Sequence, residues 1–399
     1  MEPREILARL AEFGTPPDPE SALRISVGLD QTIARFRDET LPFIADGGSE
    51  LQFAFAPYGR GKTHFLWALQ EVARQRGFAT AYVDCRSGQA PFASLQATYR
   101  IVAGNLLPTG KAVSLSRRSG PEAVIEEAMV SVPAQRAQER IVALQEDGYL
   151  ATDYRNLAVA YCRATLTDRH QEALGSDLRA LLRSDPSTRI RVNDLYRIHA
   201  WLPRPLGKLG RRNAASWLRS LASMPQSLGY PGLVILFDET EQMHSLHKLD
   251  SRQRRLHLAN LRNFVDHMAL GSFRGCAIYY AVVEEFLETA RTELEALSQR
   301  IERIHLGGRN SARNPRAIWV DLDELTHPSP ESESFYDELA QRITGIGLDA
   351  GIPHHVGDTV VRRLRQRSAE FSNSINVGAV REFVKMAASL VAQEVSHDA

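Results

Sequence analysis

The chain has 399 residues, 43% of them hydrophobic and 24% charged, with 48 lysines and arginines balanced by 48 aspartates and glutamates. Such a composition suits a globular protein with a sizeable core and gives no global basic field for nucleic acid. Its three cysteines, Cys85, Cys162 and Cys276, stand too far apart for a disulfide framework or a metal knuckle. No apolar run approaches a membrane span and the acidic start is not a signal peptide, so a cytoplasmic protein without membrane contact is expected.

From the N-terminus, Ile6, Leu7, Leu10 and Phe13 recur at helical spacing over 3–13, and Thr15-Pro-Pro-Asp-Pro19 breaks the run. Ile25-Ser-Val-Gly28 leads into a helix near Asp30–Leu41. Leu51–Phe55 is an apolar strand that enters a glycine turn. The helix after it places Phe65, Leu66, Leu69, Val72 and Ala73 on one face and ends by Gly77. Phe78–Asp84 is rich in strand formers, and a helix is expected around Pro91–Leu107. From about 109 to 229 the pattern is helical, with candidates near 121–130, 133–147, 151–166, 168–183 and 213–228 and no core strand. The arginines of this insertion (Arg117, Arg118, Arg189, Arg191, Arg204, Arg211, Arg212 and Arg219) are scattered, with a mild cluster at Arg211-Arg212, and read as a solvated face or else as one that contacts DNA. Strands are expected at Gly232–Phe237, Cys276–Val283 and Ile301–Leu306, with a helix at Arg252–Leu270 among them. After Pro328 three helices are expected, over 334–345, 357–370 and 377–394.

Two motifs carry chemistry. The first is Pro57-Tyr58-Gly59-Arg60-Gly61-Lys62-Thr63-His64, between strand and helix, where a phosphate-binding loop would stand. Gly59 and Gly61 let backbone N–H groups turn inward, and the helix N-terminus adds its dipole. Lys62 is placed for the β and γ phosphates of ATP, and the Thr63 hydroxyl for Mg²⁺. Ala56 stands where the pattern has its leading glycine, which is tolerable if its φ is negative. The second motif is Leu233-Val-Ile-Leu-Phe-Asp238-Glu239, an apolar run ending in two carboxylates. Asp238 would hold Mg²⁺ through water, and Glu239 would orient and deprotonate the attacking water. His244/His247 and His354/His355 lack a third partner at a zinc spacing. The expected fold is α/β, a P-loop core of parallel strands with a large helical insertion and a C-terminal helical lid.

That plan, with an extra strand between the two motifs and a helical lid, resembles the AAA+ ATPases. More closely, Tyr58–Leu66, Leu95–Arg100, Leu228–Glu239 and Gln299-Arg-Ile-Glu-Arg303 resemble the BrxD-like ATP-binding proteins of BREX (bacteriophage exclusion) defence systems. The resemblance implies an ATPase of phage defence with three parts: residues 1–23, a core at 24–328 carrying the insertion, and a lid at 329–399. It implies an arginine finger supplied in trans by Arg300 or Arg303, and a second sensor at Arg381 that couples the lid to nucleotide. Ile25 and Val27 are placed to line the adenine pocket, or simply to pack. Partners implied are ATP, further copies of the chain in a nucleotide-dependent ring or filament, other defence proteins and double-stranded DNA. Where such proteins place a polar sensor, this chain has Val283-Glu284, and an acid there would repel a γ-phosphate. Two other readings stay open: a DNA-loading or transposition-regulator ATPase, and a nucleotide-sensing scaffold with negligible turnover.

Overall fold

A computed structural model describes residues 1–57, 59–85, 92, 94–110, 118–169, 172–238, 251–297, 319–372 and 378–397. In chain order its elements are α1 (Pro3–Phe13), α2 (Pro19–Arg24), α3 (Asp30–Arg35), α4 (Leu41–Ala45), β1 (Ser49–Phe55), α5 (Lys62–Gln75), β2 (Ala79–Asp84), α6 (Leu95–Gly104) and β3 (Leu106–Leu107). The helices α7 (Pro121–Val130), α8 (Ala134–Glu146), α9 (Thr152–Leu166), α10 (Ala173–Arg183), α11 (Val192–Ile198) and α12 (Ala214–Ser227) precede β4 (Leu233–Asp238). Then come α13 (Ser251–Ala269), β5 (Cys276–Val282), α14 (Glu284–Glu293), β6 (Trp319–Asp321), α15 (Leu322–Leu325), α16 (Glu333–Asp349), α17 (His354–Ser372) and α18 (Ala379–His397).

The fold is mixed α/β, with a mostly parallel six-stranded sheet in the order β3-β2-β4-β5-β1-β6. β4 pairs in parallel with β2 on one side and β5 on the other, and Asp84 stands opposite Asp238 in register. Every residue of β4 and β5 is buried, as strands covered on both faces require. β3 was not expected. It is antiparallel to β2, and its two residues are too short to show a period. β6 and α11 were also not expected, whereas the expected strand at Ile301–Leu306 lies outside the described residues. The helix expected as one piece near Asp30–Leu41 is three: α3, a wider π turn at Phe36–Thr40, and α4.

The described chain divides into two compact units. One comprises residues 1–36, 54–72 and 305–399. Its core joins Ile6, Leu7 and Leu10 of α1 and the loop residues Ile25 and Val27 to α16, α17 and α18. Tyr336 and Phe371 pack on Phe383 with ring centroids 4.9 and 5.3 Å away. The apolar faces of helices α16–α18 are thus satisfied against one another and against α1, as amphipathic helices require.

The other unit, residues 37–53 and 73–304, holds the larger part of the sheet and the insertion helices. Phe53, Phe92, Phe237, Phe264, Tyr280 and Phe286 form an aromatic layer on the sheet, in tilted, edge-on and stacked pairs 5.3–6.1 Å apart. In the insertion, Trp217 sits between Tyr99 and Tyr154. The helix α7 buries Glu122, Glu126 and Glu127, which is stable only because each is paired. Arg183 donates to Glu122, the Tyr161 hydroxyl and Arg118 to Glu126, and the Thr109 amide and hydroxyl with the Tyr230 hydroxyl to Glu127.

Candidate nucleotide site

In the first unit the end of β1 runs into the loop 56–61 and then α5. Gly59 and Gly61 have φ of +78° and +84°, values that cost an L side chain roughly 1–2 kcal/mol. These two positive angles turn the chain back so that α5 starts at Lys62, where the Phe65 amide donates to Gly61 O at 2.9 Å. The Lys62 side chain is buried, and its Nζ donates to Ala56 O at 3.0 Å and Pro57 O at 3.1 Å. An ammonium is therefore held inside the curl of the loop, at the positive end of a 14-residue helix. Ala56 is fully buried and is not among the described residues of positive φ, so the departure from glycine is accommodated without strain.

A phosphate suits this cradle. A Cβ on Gly61 would meet nothing within 4 Å, so the turn opens onto free space, while Gly59, Arg60 and Pro57 are exposed around it. Thr63 is half-buried in the first helical turn. Its hydroxyl and a carboxylate are the hard oxygen donors that Mg²⁺ takes, usually alongside substrate phosphates and waters rather than in an all-protein cage. No group of three or more His, Cys, Asp or Glu gathers as a metal site among the described residues.

Around the loop, the motif residues His64 and Arg60 meet Ser26, Arg342 and Glu331, which belong to no motif. His64, next after Thr63, lies 2.8 Å from the Ser26 hydroxyl through Nε2. Ser26 spends its only hydrogen on Ala22 O at 3.0 Å, so the imidazole must donate from Nε2, and its tautomer is set. Burial, with the Arg342 guanidinium beside it, pushes the His64 imidazole down to about 4, so it is neutral at pH 7. Arg342 itself is clamped by Asp30 at 2.8 and 2.9 Å and by Glu338. Arg60 pairs with Glu331 at 3.0 Å. Burial raises the Asp323 carboxyl on α15, while the Arg60 and Lys62 cations pull it down. The loop 25–28 closes against 326–328, where the His327 amide donates to Gly28 O at 2.9 Å. Gly28 is required there: at φ +77° its Cβ would stand 2.7 Å from Thr326 Cγ2 and 2.8 Å from Pro328 O.

Ile25 and Val27 are both buried in the helical core of this unit. Arg381 is exposed in the first turn of α18, and its stem and carbonyl lie against Gly14 at the C-cap of α1.

The second motif belongs to the other unit. Asp238 ends β4 and is 1% exposed, and the Tyr82 hydroxyl of the neighbouring strand donates to its Oδ2 at 2.6 Å. With Asp84 in register beside it, two carboxylates stand at the C-terminal ends of adjacent parallel strands, the edge at which open α/β sheets bind ligands. Tyr82 follows from no motif, since only the strand pairing brings it to a carboxylate 156 positions away. Glu284 opens α14 directly after β5. Tyr58, Glu239, Arg300 and Arg303 lie outside the described residues. No described helix is long and apolar enough to cross a membrane.

A glycine turn with an enclosed lysine at a helix N-terminus, in a mixed α/β fold, is consistent with a P-loop-like protein. The family of BREX system ATP-binding proteins BrxC/D matches residues 3–391, nearly the whole chain, and the chain belongs to it. Its place is thus in a multi-protein BREX defence system, as a member of a family called ATP-binding. Neither the curated proteins nor the solved structures contain a match.

Proposed function

We propose that the chain is an AAA+-like P-loop ATPase that binds Mg·ATP, hydrolyses it and uses the cycle to rearrange partner proteins or DNA in BREX defence. The observation that carries this reading is the enclosed Lys62 in a loop whose two glycines take positive φ at the start of α5. Pro57 shapes the loop around the phosphates, Tyr58, Gly59, Arg60, Gly61 and His64 offer them backbone N–H donors, and Lys62 moves from loop carbonyls to phosphate oxygens. Thr63 directly and Asp238 through water would hold Mg²⁺, and the bound ion would offset the charge of the phosphate oxygens. Glu239 takes a proton from the attacking water and aims it. Arg300 from a neighbouring copy stabilises the charge of the transition state, and Arg381 reports lid position. A finger in trans requires a head-to-tail contact between copies, hence a ring or a filament.

Calorimetry with ATP and phosphate release, for wild type, Lys62→Ala and Glu239→Gln, test this reading. Wild type should bind and turn over. Lys62→Ala should weaken binding by about 100-fold, the loss of roughly 3 kcal/mol from one charge-assisted contact. Glu239→Gln should bind as wild type but lose most turnover, and mass measurement should find it in larger assemblies with ATP. Wild type that neither binds nor hydrolyses ATP, alone or with DNA, would sink the proposal. Binding without hydrolysis would leave the scaffold reading, which the unstrained Ala56 does not favour.

A further inference from the structure

Nothing in the ATPase reading uses residues 189–212. That stretch carries seven cations, Arg189, Arg191, Arg197, Arg204, Lys208, Arg211 and Arg212, against one carboxylate, Asp194. In a chain of zero net charge this is a local excess of six positive charges. All seven side chains are exposed. Only Arg197 has a carboxylate near it among the described residues, Asp194 at 3.6 Å, with both groups largely in solvent. The contrast with α17 is informative, because there Arg363, Arg365 and Arg367 each face an acid, Glu394, Asp337 and Glu370. Those cations are spent within the fold, whereas the ones at 189–212 are not.

The segment is also held in shape. Leu195, Leu202, Leu206 and Leu209 are buried between the cations and pin it to the insertion helices. The Leu206 amide donates to the Tyr196 hydroxyl, which folds the loop back onto α11, and the Arg204 guanidinium lies 4.4 Å from the Tyr196 ring centre. The Gly207 amide donates to Asp153 O at 3.1 Å, the Asn156 amide to Pro205 O at 3.0 Å, and Asn213 to Asp153 and Lys208 O at 3.1 Å. Ordering cost is therefore largely met before any partner arrives. Ile198, 72% exposed, leaves an apolar side chain in solvent within the same segment.

We propose that residues 189–212 form a binding surface for the phosphate backbone of nucleic acid. Six of the seven cations are arginines, whose planar fork matches phosphate oxygens. They are spread along the segment rather than focused on one point, as a row of phosphates requires and a single anionic side chain does not. The surface is independent of nucleotide binding, so the two proposals stand or fall separately.

Anisotropy of a labelled 30-base-pair duplex, and of a single strand of equal length, titrated with the full chain without nucleotide at 50–200 mM salt tests it. With six unpaired cations engaged, log affinity should fall with log salt at a slope of up to about five on the duplex. Arg211→Glu with Arg212→Glu should weaken binding at least about 10-fold and lower the slope by about two. Arg4→Glu with Arg9→Glu, equal in charge change but on the exposed face of α1, should bind as wild type, as should Lys62→Ala. The two nucleic acids decide whether duplex or single strand is the better source of the phosphates. No binding of either, or equal losses in both charge-reversed pairs, would overturn the proposal. So would polyglutamate competing as well as the nucleic acid, which would make an acidic protein the occupant.

Discussion

Tyr82→Phe isolates one contact of the carboxylate motif without changing the shape of the strand. The Tyr82 hydroxyl donates to Asp238 at 2.6 Å, and Asp238 is 1% exposed, so water does not readily replace the lost donor. A hydrogen bond to a buried charged group contributes about 1.5–3 kcal/mol. The full range applies here because the ring stays in place and no cavity forms. Urea unfolding should therefore show a loss of about 2 kcal/mol. If Asp238 holds the metal, turnover should fall about 10-fold at fixed Mg²⁺ while ATP affinity measured without metal is unchanged, since Tyr82 touches no part of the phosphate loop's own donor set. A variant as stable and as active as wild type would refute the claim that the phenol holds Asp238 in place.

Three other outcomes follow from the structure. His257 is 1% exposed, and burial pushes its imidazole down to about 4, against about 6.5 in the unfolded chain. On acidification the unfolded state takes the proton first, so between pH 7 and pH 5 this residue should cost about 2 kcal/mol of stability, and the drop should flatten in His257→Phe by urea titration. Gly28→Ala combines positive φ with contacts under 3 Å and should lose about 3 kcal/mol or more in thermal unfolding, whereas Gly61→Ala, whose Cβ meets open space, should lose about 1–2 kcal/mol. Ser26→Ala removes the acceptor of the His64 Nε2 proton and should lower stability by about 1 kcal/mol, with a histidine ¹⁵N spectrum that no longer shows a single fixed tautomer.

The sequence by itself was enough for the parts of this protein that depend on near neighbours. The glycine turn, Lys62 at the start of a helix, the fully apolar β4 ending at Asp238 and the amphipathic C-terminal helices follow from backbone sterics and short periods. So does the family, because its phrases are contiguous runs of chain. What only the tertiary structure decided involves residues far apart in the chain. Strand register set Tyr82 against Asp238, and the packing of the loop 25–28 set Ser26 against His64. β3 and β6 were illegible because two or three residues carry no period, and a partner strand alone makes them strands. The arginines of 189–212 show the same limit most clearly. In the sequence they are scattered positive charges among many, and only the burial of the four leucines between them, with Asp194 beside Arg197 the one acid paired with them among the described residues, turns that scatter into a surface.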